Sequence, residues 1–302
     1  MKISIIGVGG IARKYYLPIL AARSELELQF FARSQLSVQQ AQADYRVTES
    51  ASSLAEVLRW KPDAAFVLTP SASHFDIVKT LLQQDIDVFV EKPATLSVDE
   101  TRILAEMADL RGRILMVGFN RRFAPIHQRA REYWANRKVE QAVFTKFRTK
   151  PFHDTARNHL YDDTIHLVDT LRYFCGEGKV VHRELRVDDY FIGATAVIAL
   201  AAGGIAQVVT SMRAGSWREE YLLAGDGLTL ELQAFKALSI SQGDEVRTWS
   251  ETYDSGSDTA TGRGFVHEID YFLDCVRERK NPQTDAWDSM KTQILVEAIA
   301  GE

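Results

Sequence analysis

The sequence predicts an α/β protein: a doubly wound parallel sheet first, then a second α/β region with an open, mostly antiparallel sheet. Three observations lead there. Short apolar runs alternate with helical patterns as far as Val117, which implies a parallel sheet with helices on both faces. A glycine turn follows the first of those runs and opens the first helix. After Phe123 the pattern changes to successive β-rich runs separated by glycine-bearing turns. The division expected is residues 1–121 and 122–302.

In the first part, Ile3 to Ile6 reads as a buried strand, and the glycine turn leads into a helix through Tyr15 to Ala22. Leu26 to Phe31 is the second strand, Ser53 to Arg59 a helix and Ala64 to Thr69 the next strand. His74 to Gln84 is helical, and Val88 to Val90 is another strand. Ser97 and Glu100 form a capping box that opens a helix through Leu110, and Ile114 to Val117 is the last strand.

The second part opens with a helix from Ile126 to Asn136 and a strand from Val139 to Arg148. One helix follows, Thr164 to Phe174. Strands are then expected over Val180 to Phe191, Ala194 to Leu200, Ile205 to Met212, Glu219 to Leu223, Leu228 to Leu232, Leu238 to Ser241 and Val246 to Tyr253. Gly203-Gly204, Gly225-Asp226-Gly227 and Gly243-Asp244 mark turns between them. Two helices end the chain, Phe265 to Lys280 and Trp287 to Ala300.

Composition excludes several classes. A length of 302 residues suits two ordinary domains, and a net charge of −5 argues against a nucleic-acid footprint. Cys175 and Cys275 lack metal-ligand spacing and read as small buried hydrophobes in a reducing compartment. Lys2 to Ile6 is too short for a signal sequence, and no run approaches the ~20 apolar residues of a membrane span. A soluble, cytoplasmic protein is expected, with no metal.

The glycine turn, Gly7-Val8-Gly9-Gly10-Ile11-Ala12, fits the G-x-G-x-x-G/A fingerprint of a Rossmann dinucleotide site. Gly7 allows the tight turn, Gly9 lets the backbone approach a pyrophosphate, and Ala12 permits close helix–strand packing. Gly10 and Ile11 then begin a helix whose N-terminus attracts phosphate. An NAD site usually carries an acid at the end of the second strand, to hold the ribose hydroxyls. Here Arg33 and Ser34 follow Phe31-Ala32 instead. They can hold a 2′-phosphate by charge and hydrogen bonding, so NADP is expected over NAD. Glu91-Lys92-Pro93 ends another strand and puts an ammonium group at the sheet's carboxyl edge, where ligands bind in such folds.

These motifs, with Thr69-Pro70-Ser71-Ala72-Ser73-His74, Gly118-Phe119-Asn120-Arg121-Arg122-Phe123 and Asp162-Asp163-Thr164-Ile165-His166-Leu167-Val168-Asp169, run from residue 7 to 169 in one order. In that order and spacing the chain resembles the Gfo/Idh/MocA oxidoreductases, within a bacterial branch described as MviM-like. The resemblance implies a nicotinamide cofactor and hydride transfer on a sugar, cyclitol or similar polyol. It implies dimers or tetramers formed through the second sheet, whose domain also binds substrate. It makes Lys92 the active-site lysine, His166 the catalytic histidine and Asp162 the acid one turn before it. Thr69, Pro70, His74, Glu91 and Asn120 would border the cofactor. One departure is Thr164, where the family often has glycine; it adds bulk near the site.

Oxidising a secondary alcohol needs a base for the hydroxyl proton while a hydride leaves the carbon. An imidazole suits the proton step. On an α-helix Asp162 and His166 share a face, and Asp169 is near enough to orient the ring or a ligand hydroxyl. Lys92 can donate to the substrate oxygen and stabilise alkoxide character. Arg121 and Arg122 either grip cofactor or substrate or form interdomain salt bridges. The stretch His153, Asp154, Arg157, Asn158 and His159 reads as surface loop or pocket lining. Trp217 and Tyr221 read as sheet or dimer packing. Two other functions fit the same fold: an NAD-assisted glycoside hydrolase, and a non-enzymatic cofactor-sensing protein.

Overall fold

The computed structural model describes residues 1–135, 137–151, 155–251 and 256–301. The chain forms two units, residues 1–119 with 265–290, and residues 120–264 with 291–302. The linear division into 1–121 and 122–302 does not contain that late return of 265–290.

In the first unit, six parallel strands are β1 (Lys2–Ile6), β2 (Glu27–Phe31), β3 (Glu49–Ala51), β4 (Ala64–Val67), β5 (Asp87–Glu91) and β6 (Leu115–Gly118). They lie in the order β3-β2-β1-β4-β5-β6, so the winding reverses between β1 and β4. Every residue of β4 and β6 is buried, as expected of strands covered on both faces. The returning segment completes this unit. Val117 N–H donates to the Thr284 carbonyl at 2.8 Å, at the edge of β6. Phe272, on the helix Phe265–Glu278, meets Phe66 and Phe89 with ring centroids 5.1 and 5.6 Å apart.

Two elements here were not expected, the helix Gln35–Tyr45 and the short β3. That helix is mostly polar and buries only Val38 and Ala41, so it carries little periodic signal; its start is set by Ser34, whose side chain accepts from Ser37 N–H. The first helix also differs. It opens with a π turn, Ala12–Tyr16, in which Leu17 N–H reaches back to the Ala12 carbonyl, and continues as α over Leu17–Ala21.

The second unit holds an eight-stranded sheet: β7 (Gln141–Phe147), β8 (Gly178–Val187), β9 (Phe191–Leu200), β10 (Ile205–Ser211), β11 (Arg218–Gly225), β12 (Leu228–Gln233), β13 (Ala237–Gln242) and β14 (Glu245–Ser250). The order is β14-β13-β12-β11-β7-β10-β9-β8. All neighbours are antiparallel except β7 with β10. Burial alternates along β7, β10 and β11, so one face is covered and the other open. The single strand expected over 180–191 is broken, because Asp188 N–H bonds to the Tyr190 carbonyl in a tight turn and Phe191 starts β9. The expected helix from 126 is Pro125–Trp134, and Asn136 lies outside the described residues. The last β-run ends at Ser250, and Tyr253 is likewise outside them. A helix over Gly256–Gly262 was not expected.

The covered face of this sheet carries charge. Lys146 on β7 and Glu219 on β11 are 0% and 1% exposed, and Arg121 is 7% exposed. Arg121 grips Glu219 with two bonds of 2.5 and 2.8 Å, and Tyr221 Oη donates to the same carboxylate at 2.5 Å. Lys146 Nζ lies 3.7 Å from Glu219 and 2.8 Å from the Asp163 carboxylate, which Arg148 also grips. Burial alone would raise both carboxyls, but the surrounding cations outweigh it and hold them below the usual range.

A depressed folded-state pKa stabilises the native state above the unfolded carboxyl pKa and is lost as pH falls. The melting temperature should therefore drop steeply below about pH 4. Glu219→Gln leaves buried cations without their carboxylate. It should cost about 3–5 kcal/mol and flatten that acid dependence, as thermal melts from neutral to acid pH will show.

Candidate active site

The glycine turn is squeezed between neighbouring strand ends. Gly7 sits at φ +103°, and a Cβ there would lie 2.8 Å from the Leu68 carbonyl carbon and oxygen. Its N–H donates to the Phe31 carbonyl at 2.8 Å. Only glycine fits this crossing. Gly9 and Gly10 differ: a Cβ on either would meet nothing within 4 Å. Their bare backbone faces open space, and Ala12 behind them is fully buried. A crevice of about 540 Å³ lies here, lined by Gly7, Val8, Gly9, Arg33, Ser34, Ser37, Thr69 and Pro70 among others. It stands at the winding reversal, where open α/β sheets bind ligands. Exposed glycine backbone at a helix start fits a pyrophosphate, so these residues suit a dinucleotide.

Arg33 is exposed at the crevice. Ser34 accepts bonds from Ser37 N–H at 3.2 Å and Ser37 Oγ at 3.0 Å, so it is the helix cap as well as a lining residue. Ser37 also lines the crevice. It was missed because the helix carrying it was missed. Arg13 ties the two loops, donating to the Val8 and Ser37 carbonyls at 3.1 and 2.9 Å. Ile11 is exposed beside the turn.

The lysine loop is held from two sides. Glu91 accepts Tyr16 Oη at 2.7 Å and Lys92 N–H at 2.9 Å. Burial, with the Glu91 and Glu268 carboxylates, raises the Tyr16 phenol well above its ordinary value, so it stays a donor. Tyr16 was not singled out from the sequence, where a tyrosine in an apolar helix reads as core. The Lys92–Pro93 peptide is cis. His74 is fully buried, its ring nitrogens 2.9 and 2.8 Å from the Pro93 and Thr69 carbonyls. It braces the two loops from behind, while Thr69 and Pro70 face the crevice. Burial lowers its pKa against those carbonyl bonds. Lys92 itself is half-buried.

In the second unit, the expected helix of His166 is composite. A turn of α-helix (Ala156–His159) runs into a π turn (Leu160–Thr164), and regular α-helix covers Ile165–Cys175. Asp162 and His166 therefore straddle a π-to-α junction and are not four residues apart on one α-helix. Asp162 is exposed and His166 half-buried, while Thr164 between them is fully buried. Asp169 is held by Arg122 at 2.5 and 2.9 Å and accepts from Thr292 at 3.2 Å. Its carboxylate thus ties the helix to Arg122 and Thr292. Arg121 and Arg122 each pair with a carboxylate inside this unit, Glu219 and Asp169. Asn120 is buried too, its amide donating to the Arg263 carbonyl at 2.7 Å.

Of the polar stretch before the helix, His153 and Asp154 lie outside the described residues. Arg157 stacks over Tyr161 at 4.7 Å, and Asn158 N–H is capped by Thr155 at 3.2 Å. His159 is buried and stacks on Phe191 at 4.8 Å, so it is core and not surface loop. Tyr221 is likewise core, with Trp217 beside Lys236.

The model of an oxidoreductase family with an NAD-binding Rossmann fold, GFO_IDH_MocA, matches residues 1–119. A Salmonella typhimurium protein named "Putative oxidoreductase YceM" is 30% identical over 307 residues, 99% of this chain and 97% of that protein. The chain belongs to the Gfo/Idh/MocA family. A relative of this oxidoreductase in Haloferax volcanii, named D-xylose 1-dehydrogenase (NADP(+)) 2, is 25% identical over 99% of this chain and 96% of its own. Among solved structures, a dehydrogenase (MviM) from Clostridium difficile superposes with a TM-score of 0.91 at 24% identity, covering 100% and 99% of the two chains.

The two glycines should separate by experiment. Gly7→Ala forces a positive φ and a backbone clash, and should cost about 1–3 kcal/mol in thermal denaturation. Gly9→Ala should change stability by less than about 0.5 kcal/mol. Calorimetric titration should nevertheless show it weakening nicotinamide-nucleotide binding more than tenfold.

Proposed function

We propose that this oxidoreductase transfers a hydride between NADP and a secondary hydroxyl, or the corresponding carbonyl, of a sugar, cyclitol or similar small polyol. The crevice carries the reading. Its floor is bare glycine backbone, and its β2 edge presents Arg33 and Ser34 where an acid would reject a 2′-phosphate. The full-length relative named as an NADP(+) dehydrogenase of D-xylose supports both halves of it.

Gly7, Gly9, Gly10, Ile11 and Ala12 would seat the pyrophosphate, with Arg33 and Ser37 on the 2′-phosphate and Thr69 and Pro70 along the crevice wall. His74 and Glu91 act from behind, by fixing the lysine loop, and Asn120 is assigned to the border of the cofactor. The bound nicotinamide supplies the hydride acceptor or donor. His166 takes the hydroxyl proton in oxidation and returns it in reduction. Lys92 donates to the substrate oxygen and stabilises its developing negative charge; the Tyr16–Glu91 pair keeps the loop beneath it in place. Asp162, exposed at the π turn, is assigned to a substrate hydroxyl or the imidazole.

The open face of the second sheet, where Val143, Thr145, Leu222 and Thr248 line a hollow of about 540 Å³, is the surface assigned to a homodimer or homotetramer. Both cysteines are buried and unpaired, in keeping with the cytoplasm, and among the described residues no helix is long and apolar enough to cross a membrane.

Lys92→Met and His166→Ala should each reduce turnover by more than about 10³-fold while cofactor affinity stays within about threefold. A polyol and carbonyl panel followed at the nicotinamide absorbance provides the measurement. Turnover retained in both variants contradicts the assigned roles, and product formed with no net absorbance change points to a hydrolase.

A further inference from the structure

The π turn before His166 has a dedicated anchor. Lys146 rises from β7, an interior strand of the sheet, and its side chain is wholly buried. Its ammonium group donates to the Asp163 main-chain carbonyl at 3.0 Å and lies 2.8 Å from the Asp163 carboxylate. One side chain thus holds both the backbone and the side chain of a residue inside the π turn. Arg148, one residue beyond the end of β7, grips the same carboxylate, and His159 Nε2 stands 3.7 Å from its other oxygen. The turn is closed by Ile165 N–H reaching back five residues to the Leu160 carbonyl. Such a turn carries one residue more than an α turn and is common at functional sites. An extra residue there decides which way the following side chains point.

We propose that Lys146 is a positioning residue: through Asp163 it holds the π turn open at the head of the helix and so sets the orientation of His166 three residues later. Burying an ammonium group is costly, and a hydrophobic residue of similar volume commonly serves stability as well or better. What a hydrophobic residue cannot do is bind a carbonyl and a carboxylate of the same turn. Asp169 fixes the helix one turn further on, through Arg122 and Thr292. His166 lies between these two anchors, on a rigid element, as a group needing sub-ångström placement should. Asp163 was passed over in the sequence because it stands beside the more family-typical Asp162, and Lys146 because a lysine in a strand reads as an exposed charge.

The inference rests on the role proposed for His166, and its test has a readout that does not. Carbon–proton NMR spectra of the histidine rings would be recorded for wild type, Lys146→Met and Asp163→Asn, with the His166 signal identified by its loss in His166→Asn. The chain has seven histidines. In both variants the signals of His166 and of the neighbouring His159 should move or broaden, and the others should stay. NADPH affinity should hold within about twofold, while kcat on the best panel substrate falls about 10²-fold, more than KM changes. A folded variant with an unmoved His166 signal overturns the proposal. So does failure of both variants to fold, because the cluster would then serve the whole unit and not the turn. A moved signal in a protein that turns over nothing upholds the positioning role and rejects the oxidoreductase role of His166.

Discussion

The first unit depends on the crossing of Gly7 beneath the Leu68–Thr69 backbone. With no side chain there, the end of β1 lies close to the end of β4, and the turn between them leads straight into a helix. Any Cβ would push the two apart by meeting main-chain atoms that cannot move aside. The same crossing places Gly9 and Gly10 at the mouth of the crevice and Thr69 on its wall. From Thr69 the constraint passes to the lysine loop through His74, whose ring spans the Thr69 and Pro93 carbonyls. The cofactor turn and the loop carrying Lys92 are therefore one mechanical assembly, closed on its other side by the Tyr16–Glu91 bond.

The second unit is built on a different principle. Its sheet presents a covered face bearing Lys146 and Glu219 as well as apolar side chains, and these charges reach Arg121 and Asp163. Buried ions add little stability relative to a packed apolar core, but they tolerate few alternative arrangements. Together with the Arg122–Asp169 pair they fix the segment from Leu160 onward at more than one point. The segment that carries His166 is thus flanked by ion pairs within the unit, where the arginine doublet at 121–122 turns inward.

Much of the fold was legible. Alternating strands and helices, the glycine fingerprint and the Ser97 cap each have a local cause that a short window of sequence contains. The helix Gln35–Tyr45 lacked that cause, being polar with two buried positions. The return of residues 265–290 to the first sheet is a tertiary fact, carried by Phe272 and by the Thr284 carbonyl, which no local pattern announces. Site residues divided in the same way. Gly7, Gly9, Arg33 and Lys92 were visible from position relative to a strand end. Tyr16, Ser37, Lys146 and Asp163 are tied in through partners distant in sequence, as Asp169 is through Arg122, 47 residues away. The π turns were invisible because each is a five-residue return of one N–H to one carbonyl, Leu17 to Ala12 and Ile165 to Leu160, which no residue pattern marks.

The central claim is that the crevice at the winding reversal holds a nicotinamide nucleotide and prefers the one with a 2′-phosphate. A fluorescence titration of the purified, cofactor-free protein with NADPH and, separately, NADH tests it most directly. The account predicts saturable binding of both, with NADPH tighter by at least about tenfold, the effect of one charge-assisted contact on the extra phosphate. Equal or tighter binding of NADH would contradict the role of Arg33. Failure of folded protein to bind either nucleotide would contradict the account as a whole.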